Sequence, residues 1–146
     1  MAQARTQALP ASSGAEDTGK LLLRVGLGVL ILLHGIAKIS SGPGWIVGML
    51  EKSGMPGFLA YAVYIGEVLA PLLLIVGVYA RAAGIIIVLN MLVAIVMVHI
   101  PELGKIVPET GGWALELQGM FILAGLTVAL IGAGRYSLGG IDGRWN

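Results

Sequence analysis

The chain contains no cysteine. Disulfide exchange, thiolate nucleophiles, cysteine-ligated metals and iron–sulfur clusters are therefore excluded, and any redox chemistry must use a borrowed cofactor. Charge is scarce too: 12% of residues are charged, against about 25% in soluble domains. Nine Lys and Arg nearly balance eight Asp and Glu, for a net charge of +1, which leaves no basic field to hold nucleic acid or an acidic partner. No glycine run precedes a Lys-Ser/Thr pair, so phosphate-cradling nucleotide sites have no support. What remains is apolar, at 57% of residues with mean hydropathy +0.91. A chain of 146 residues is a single domain by length, and this composition belongs in a lipid bilayer.

Residues 1–19 are small, polar and rich in Pro, Gly and Ser, too poor in apolar surface to offset the entropy of ordering. They are expected to form a flexible tail. Four apolar stretches follow, Leu21–Ile39, Phe58–Ala80, Ala82–Ile100 and Trp113–Ala133, of 19, 23, 19 and 21 residues. Each approaches the roughly 20 residues that an α-helix needs to cross the hydrocarbon core. Strand-length segments of alternating polarity, the mark of a membrane β-barrel, are absent. The reading is all-α, a four-transmembrane-helix antiparallel bundle over residues 20–138, with 139–146 as a C-terminal tail. The first stretch is kept as a mature helix rather than a signal peptide because Arg24, His34 and Lys38 interrupt it.

Lys and Arg near the helix ends set the orientation. Arg5, Lys20, Arg24, Arg81, Arg135 and Arg144 fall on one side, and Lys38, Lys52 and Lys105 on the other. Both termini are thus expected in the cytoplasm. Trp45, Tyr61 and Trp113 at one interface and Tyr79, Tyr136 and Trp145 at the other complete two aromatic belts. Within the first long loop, Pro43 suits a helix start, and Trp45, Ile46, Met49 and Leu50 share a face before Ser53-Gly54 ends it. A short interfacial helix is expected there. The loop from Pro101 to Gly112 could cap the outer mouth. Glycines in the spans, such as Gly28, Gly66 and Gly125, read as points of close helix packing.

Charges inside a span face the bundle interior or a wet cavity, so their depth is informative. At about 1.5 Å per residue, Lys38 and His99 lie near the outer surface, Glu116 about 5 Å in, His34 about 8 Å and Glu67 about 14 Å. All fall in the outer half, which suggests a polar cavity opening outward. His34 and Lys38, four residues apart, share a helix face, as do Tyr64, Glu67 and Pro71. A mid-span carboxylate must be paired, hydrogen-bonded or neutral, and His34 and Lys38 are its natural partners. Glu67 and His34 are the candidate catalytic pair, with Lys38, His99, Glu116 and Tyr64 as candidate ligand contacts. The bland alternative is a buried His34–Glu67 or Lys38–Glu67 pair that fixes helix register. Glu116 and Gln118 project about 200° apart, so only one can face the cavity, and Glu116 is preferred for its charge. Asn90 reads as an interhelical hydrogen bond. No His pair or Glu-x-x-His spacing supports a haem or metal centre.

In order and spacing these residues resemble the DoxX family of small four-helix membrane proteins. The resemblance runs from about Leu21 to Leu138. It rests on Arg24-x3-Gly28-x5-His34-Gly35-x2-Lys38, Gly54-Met55-Pro56, Glu67, Arg81, His99-x-Pro101, Gly111-Gly112-Trp113-Ala114-Leu115-Glu116 and Gly134-Arg135-Tyr136-Ser137-Leu138. Gly139 stands where the family often has Asp. The resemblance implies a subunit of a membrane oxidoreductase complex, since the family takes its name from a subunit associated with a thiosulfate:quinone oxidoreductase and some bacterial members are linked to oxidative-stress defence. Placement as a multi-pass protein of the bacterial cytoplasmic membrane goes with it. Cysteine-pair thiol–quinone chemistry does not, because this chain has no cysteine.

Two functions stay open at this stage. One is a quinone-interacting oxidoreductase component that carries no covalently bound cofactor and takes electrons from a partner. The other is a noncatalytic accessory subunit, packed in lipid against the subunits of a larger complex or a second copy of itself. A small transporter is weaker, because neither an inverted repeat nor a pair of broken helices is evident.

Overall fold

The computed structural model describes residues 14–146. Five helical elements follow one another: α1 (Gly14–Ser41), α2 (Gly44–Lys52), α3 (Gly57–Val76), α4 (Ala80–Glu102) and α5 (Glu116–Ile131). Among the described residues there is no strand, only an isolated bridge between Ile106 and Trp113. The protein is all-α. Helices α1, α3 and α4 are each long and apolar enough to cross a bilayer, whereas α5 has 16 residues. Such a helix rises about 24 Å, short of the 21-residue span expected from Trp113. Three residues of the shortfall arise because Trp113 to Leu115 fold back into the preceding loop, where Ala114 N–H donates to Lys105 O, and two more because α5 stops at Ile131, before Gly132 at φ 77°.

Helix α1 begins at Gly14, inside the stretch expected to be a tail. Local charge explains the earlier start: Glu16 and Asp17 occupy the first turn, where the helix dipole favours anions, and Lys20 pairs with Glu16 at 2.6 Å. Asp17 is also buried and accepts the Arg135 backbone N–H at 3.1 Å. Residues 1–13 of that expected tail lie outside the described residues.

Helix α1 packs against α3 and α5, and α4 packs against α3 and, most extensively, α5. Leu27, Ile31, Leu74, Ile87, Phe121 and Val128 form the core between them. Helix α2 forms where Pro43 predicts it and lays Ile46 and Leu50 onto Ala60 of α3. Many other apolar side chains point outward, Leu22, Leu33, Leu89, Leu123 and Leu130 among them. A soluble protein does not leave so much of its apolar surface bare, and lipid is the solvent that removes the penalty.

Two helices are irregular in the same way. In α3 the turn Ile65–Leu69 is a π-helical turn, with Ala70 N–H reaching back five residues to Ile65 O, and in α4 the turn Ile95–His99 is another. Each ends two residues before a proline, Pro71 or Pro101. Proline has no N–H and its ring crowds the carbonyl four residues earlier, here Glu67 O and Met97 O. Widening the preceding turn relieves both problems.

Candidate functional site

Glu67 sits in the widened turn of α3, 3% exposed. Lys38, on the last turns of α1, places Nζ 2.5 Å from both carboxylate oxygens. Asn90 of α4 donates to Glu67 Oε1 at 3.3 Å. Close approach of the helices makes this possible: a Cβ on Gly35 would strike the Glu67 carbonyl and the Val68 side chain, so only glycine lets α1 lie against that turn. Tyr64 donates its hydroxyl to Lys38 O at 3.3 Å, tying the two helices one turn away.

Below and beside this pair lie two cavities that share it as a wall. One, of about 150 Å³, is lined by His34, Lys38, Glu67, His99, Gln118 and Phe121, among others. The other, of about 460 Å³, lies among α2, α3 and α4; its lining is apolar except around Lys38, Glu67 and Asn90. The Lys38–Glu67 pair separates a small polar compartment from a large oily one.

Of the residues singled out in the sequence, His34, Lys38, Glu67 and His99 meet in the small cavity. His34 stands edge-on to Phe121, ring centroids 5.9 Å apart, and among the described residues it makes no hydrogen bond; Lys38 takes the carboxylate. His99 closes the side toward the end of α4, with Nδ1 2.8 Å from Glu102 Oε2 and Nε2 3.4 Å from Gln118 Nε2. Glu116 does not reach the cavity. It is exposed, and its Oε1 accepts the Trp113 N–H at 3.1 Å, bracing the loop before α5. Gln118, the residue of the pair set aside on charge, lines the cavity instead. An exposed loop desolvates nothing, so the larger desolvation cost of Glu116 is met by keeping it in water. Tyr64 lines neither cavity and serves as a tie between helices. Asn90, expected to make an interhelical hydrogen bond, makes one to the carboxylate itself. Its signal was a lone amide in an otherwise apolar span, which in lipid calls for a polar partner.

The opposite end of the molecule is built differently. Arg24, 2% exposed, donates to Leu74 O at 2.6 Å, Ile75 O at 2.7 Å, Ala133 O at 3.3 Å and also to Tyr136 O. Arg81 donates to Ala129 O at 2.9 Å, Leu130 O at 2.6 Å and Asn146 O at 3.0 Å. Each arginine thus caps the carbonyl end of a neighbouring helix, α3 or α5, where backbone acceptors lack partners and the dipole favours a cation. Gly77 ends α3 at φ 76° with Arg24 packed where a Cβ would stand. Asn146 is buried against the same end, its amide donating to Ser137 Oγ and Gly140 O.

This arrangement of apolar spans around one buried ion pair defines a multi-pass membrane protein. The chain matches the DoxX family over residues 19–100, and it belongs to that family. It is similar to a Bacillus subtilis protein named "Putative oxidoreductase CatD", with 28% identity over 117 residues covering 80% of this chain and 81% of that one. No solved structure matches it.

Proposed function

We propose that this protein is an integral membrane subunit of a quinone-linked oxidoreductase, and that the Lys38–Glu67 pair is where the lipophilic ligand's polar head is received. The observation that carries the reading is the position of the pair: a buried carboxylate and its ammonium partner form the common wall of two cavities rather than the centre of a packed core. A charged pair retained in the membrane interior is expensive and is by default a functional group. The oxidoreductase name of the B. subtilis relative points the same way.

In this reading α1, α3, α4 and α5 span the bacterial cytoplasmic membrane as an antiparallel four-helix bundle. Both termini are cytoplasmic, and α2 lies in the outer interface. The residues fit a quinone: Lys38 and Asn90 are hydrogen-bond donors for a carbonyl, Glu67 can hold or release a proton beside it, and apolar walls accept a prenyl chain. A bound quinone supplies two-electron redox capacity, with electrons delivered by a partner subunit. His34 and His99 face the same small cavity, where their ring nitrogens can donate or accept hydrogen bonds.

The test is the quinone extracted per protein after gentle detergent purification. Near-stoichiometric quinone in the parent and little in Glu67→Gln supports the reading. One observation favours a second reading, an accessory subunit in a larger complex or homo-oligomer: both carboxylate oxygens are already satisfied by Lys38, with Asn90 adding a third bond, as in a brace. Quinone absent from both proteins, with assembly lost in Glu67→Gln, would select it.

A further inference from the structure

The two cavities differ in size, lining and access, and the differences assign them separate tasks. The chamber of about 460 Å³ falls in the roughly 300–1,000 Å³ range of small-molecule sites. The polar cavity, about 150 Å³, is too small for a ligand of that class but roomy enough for several waters, with polar partners to hold them. The chamber's rim carries Trp45, Leu89 and Val93, which are 54%, 56% and 56% exposed, so it opens on the face that lipid covers. Three methionines, Met49, Met55 and Met97, line it, an adaptable surface suited to a flexible chain. The polar cavity instead ends at His99, whose partner Glu102 reaches solvent at the helix end.

We infer that the large chamber among α2, α3 and α4 is a lateral, lipid-side binding site for a neutral, lipid-soluble molecule with a hydrogen-bond-accepting head and an apolar tail, while the small cavity behind the Lys38–Glu67 pair holds only water. The head rests against Lys38 and Asn90, the two donors on the chamber's polar floor. The tail lies along the methionines and leaves past Val93 into the bilayer. This rests on the reading of the ion pair as a ligand site and adds which side of it the ligand occupies.

Decylubiquinone is a suitable probe, because its ring quenches nearby indoles. The chain has three tryptophans, of which Trp45 alone lines the chamber. In detergent-purified protein carrying Trp113→Phe and Trp145→Phe, decylubiquinone should quench the remaining Trp45 emission saturably by more than half. The protein with only Trp113 left should show the weak linear quench of free probe. Adding Val93→Phe, which fills the chamber mouth from an exposed position and spares the core, should weaken binding at least tenfold. Radiolabelled decylubiquinone binding to the parent, measured in parallel, separates the failures. No saturable binding to the parent overturns both the ligand-site reading and this assignment. Saturable binding without Trp45 quenching, or binding unmoved by Val93→Phe but lost in Gln118→Leu, overturns the assignment alone and puts the ligand in the polar cavity.

Discussion

The two ends of the helices handle buried charge in opposite ways. At the end where α3 turns into α4, Arg24 and Arg81 direct their side-chain hydrogen bonds to backbone carbonyls of α3, α5 and the segment after α5. The cations there are tied to the main chain, which side-chain chemistry cannot alter, and that end is a clamp. At the opposite end Lys38 and Glu67 face each other across helices, with cavities on both sides, and the helices carrying Glu67 and His99 are widened by prolines. Side chains paired with side chains can exchange partners with a ligand or a proton, whereas side chains capping helix ends cannot without unravelling them. Structure is concentrated at one end and adjustable polarity at the other.

Breaking the clamp should have the largest effect. Arg24→Leu leaves four carbonyls without their donor, and at about 1–3 kcal/mol for each unsatisfied acceptor the loss should be at least about 4 kcal/mol. Thermal or denaturant unfolding in detergent would measure it, and a loss under about 1 kcal/mol would mean that the arginine end is no clamp. Next comes Lys38→Met, which strands the Glu67 carboxylate and should cost about 3–5 kcal/mol. The apolar double variant Lys38→Met/Glu67→Leu should recover most of that stability yet bind no quinone. If the double variant remains as unstable as the single one, the pair is a brace and the contrast between the ends disappears.

Smaller effects sharpen the same contrast. Pro71→Ala restores an N–H to α3 and allows the widened turn to relax toward α-geometry. The fold should be destabilised by less than in Lys38→Met, because Lys38 stays within reach of the carboxylate, while decylubiquinone affinity should fall at least tenfold as Glu67 shifts against its partners. Unchanged affinity would show that the widened turn does not aim the carboxylate. Smallest of all, Glu116→Gln should alter stability by less than about 0.5 kcal/mol and leave extracted quinone untouched, because the side chain braces an exposed loop.

Much of the Lys38–Glu67 cluster was legible because membranes make polarity conspicuous. In spans as apolar as these, His34, Lys38, Glu67 and His99 are the few groups that need an explanation, and helical rise alone places them in one half. Choosing between neighbours was harder. Glu116 and Gln118 project apart on a helix, and the spacing did not say which one lines the cavity; in the structure Gln118 does and Glu116 is exposed beside the loop. Asn90 was expected to bond another helix, but that its partner is Glu67, 23 positions away, was not legible. The widened turns left a trace in Pro71 and Pro101, but a proline in a span announces a kink without saying whether the backbone bends, breaks or widens.

The sequence by itself determined that this chain is helical, membrane-embedded and carries His34, Lys38, Glu67 and His99 toward one end of its spans, because apolar run length and the penalty on buried charge are local properties of composition. Only the tertiary structure decided that Lys38 rather than His34 holds Glu67, that Arg24 and Arg81 cap other helices, and that one ion pair stands between two cavities. Those depend on how helices approach one another, through gaps as narrow as the one Gly35 leaves open, and packing between distant segments is not written in the spacing of either one.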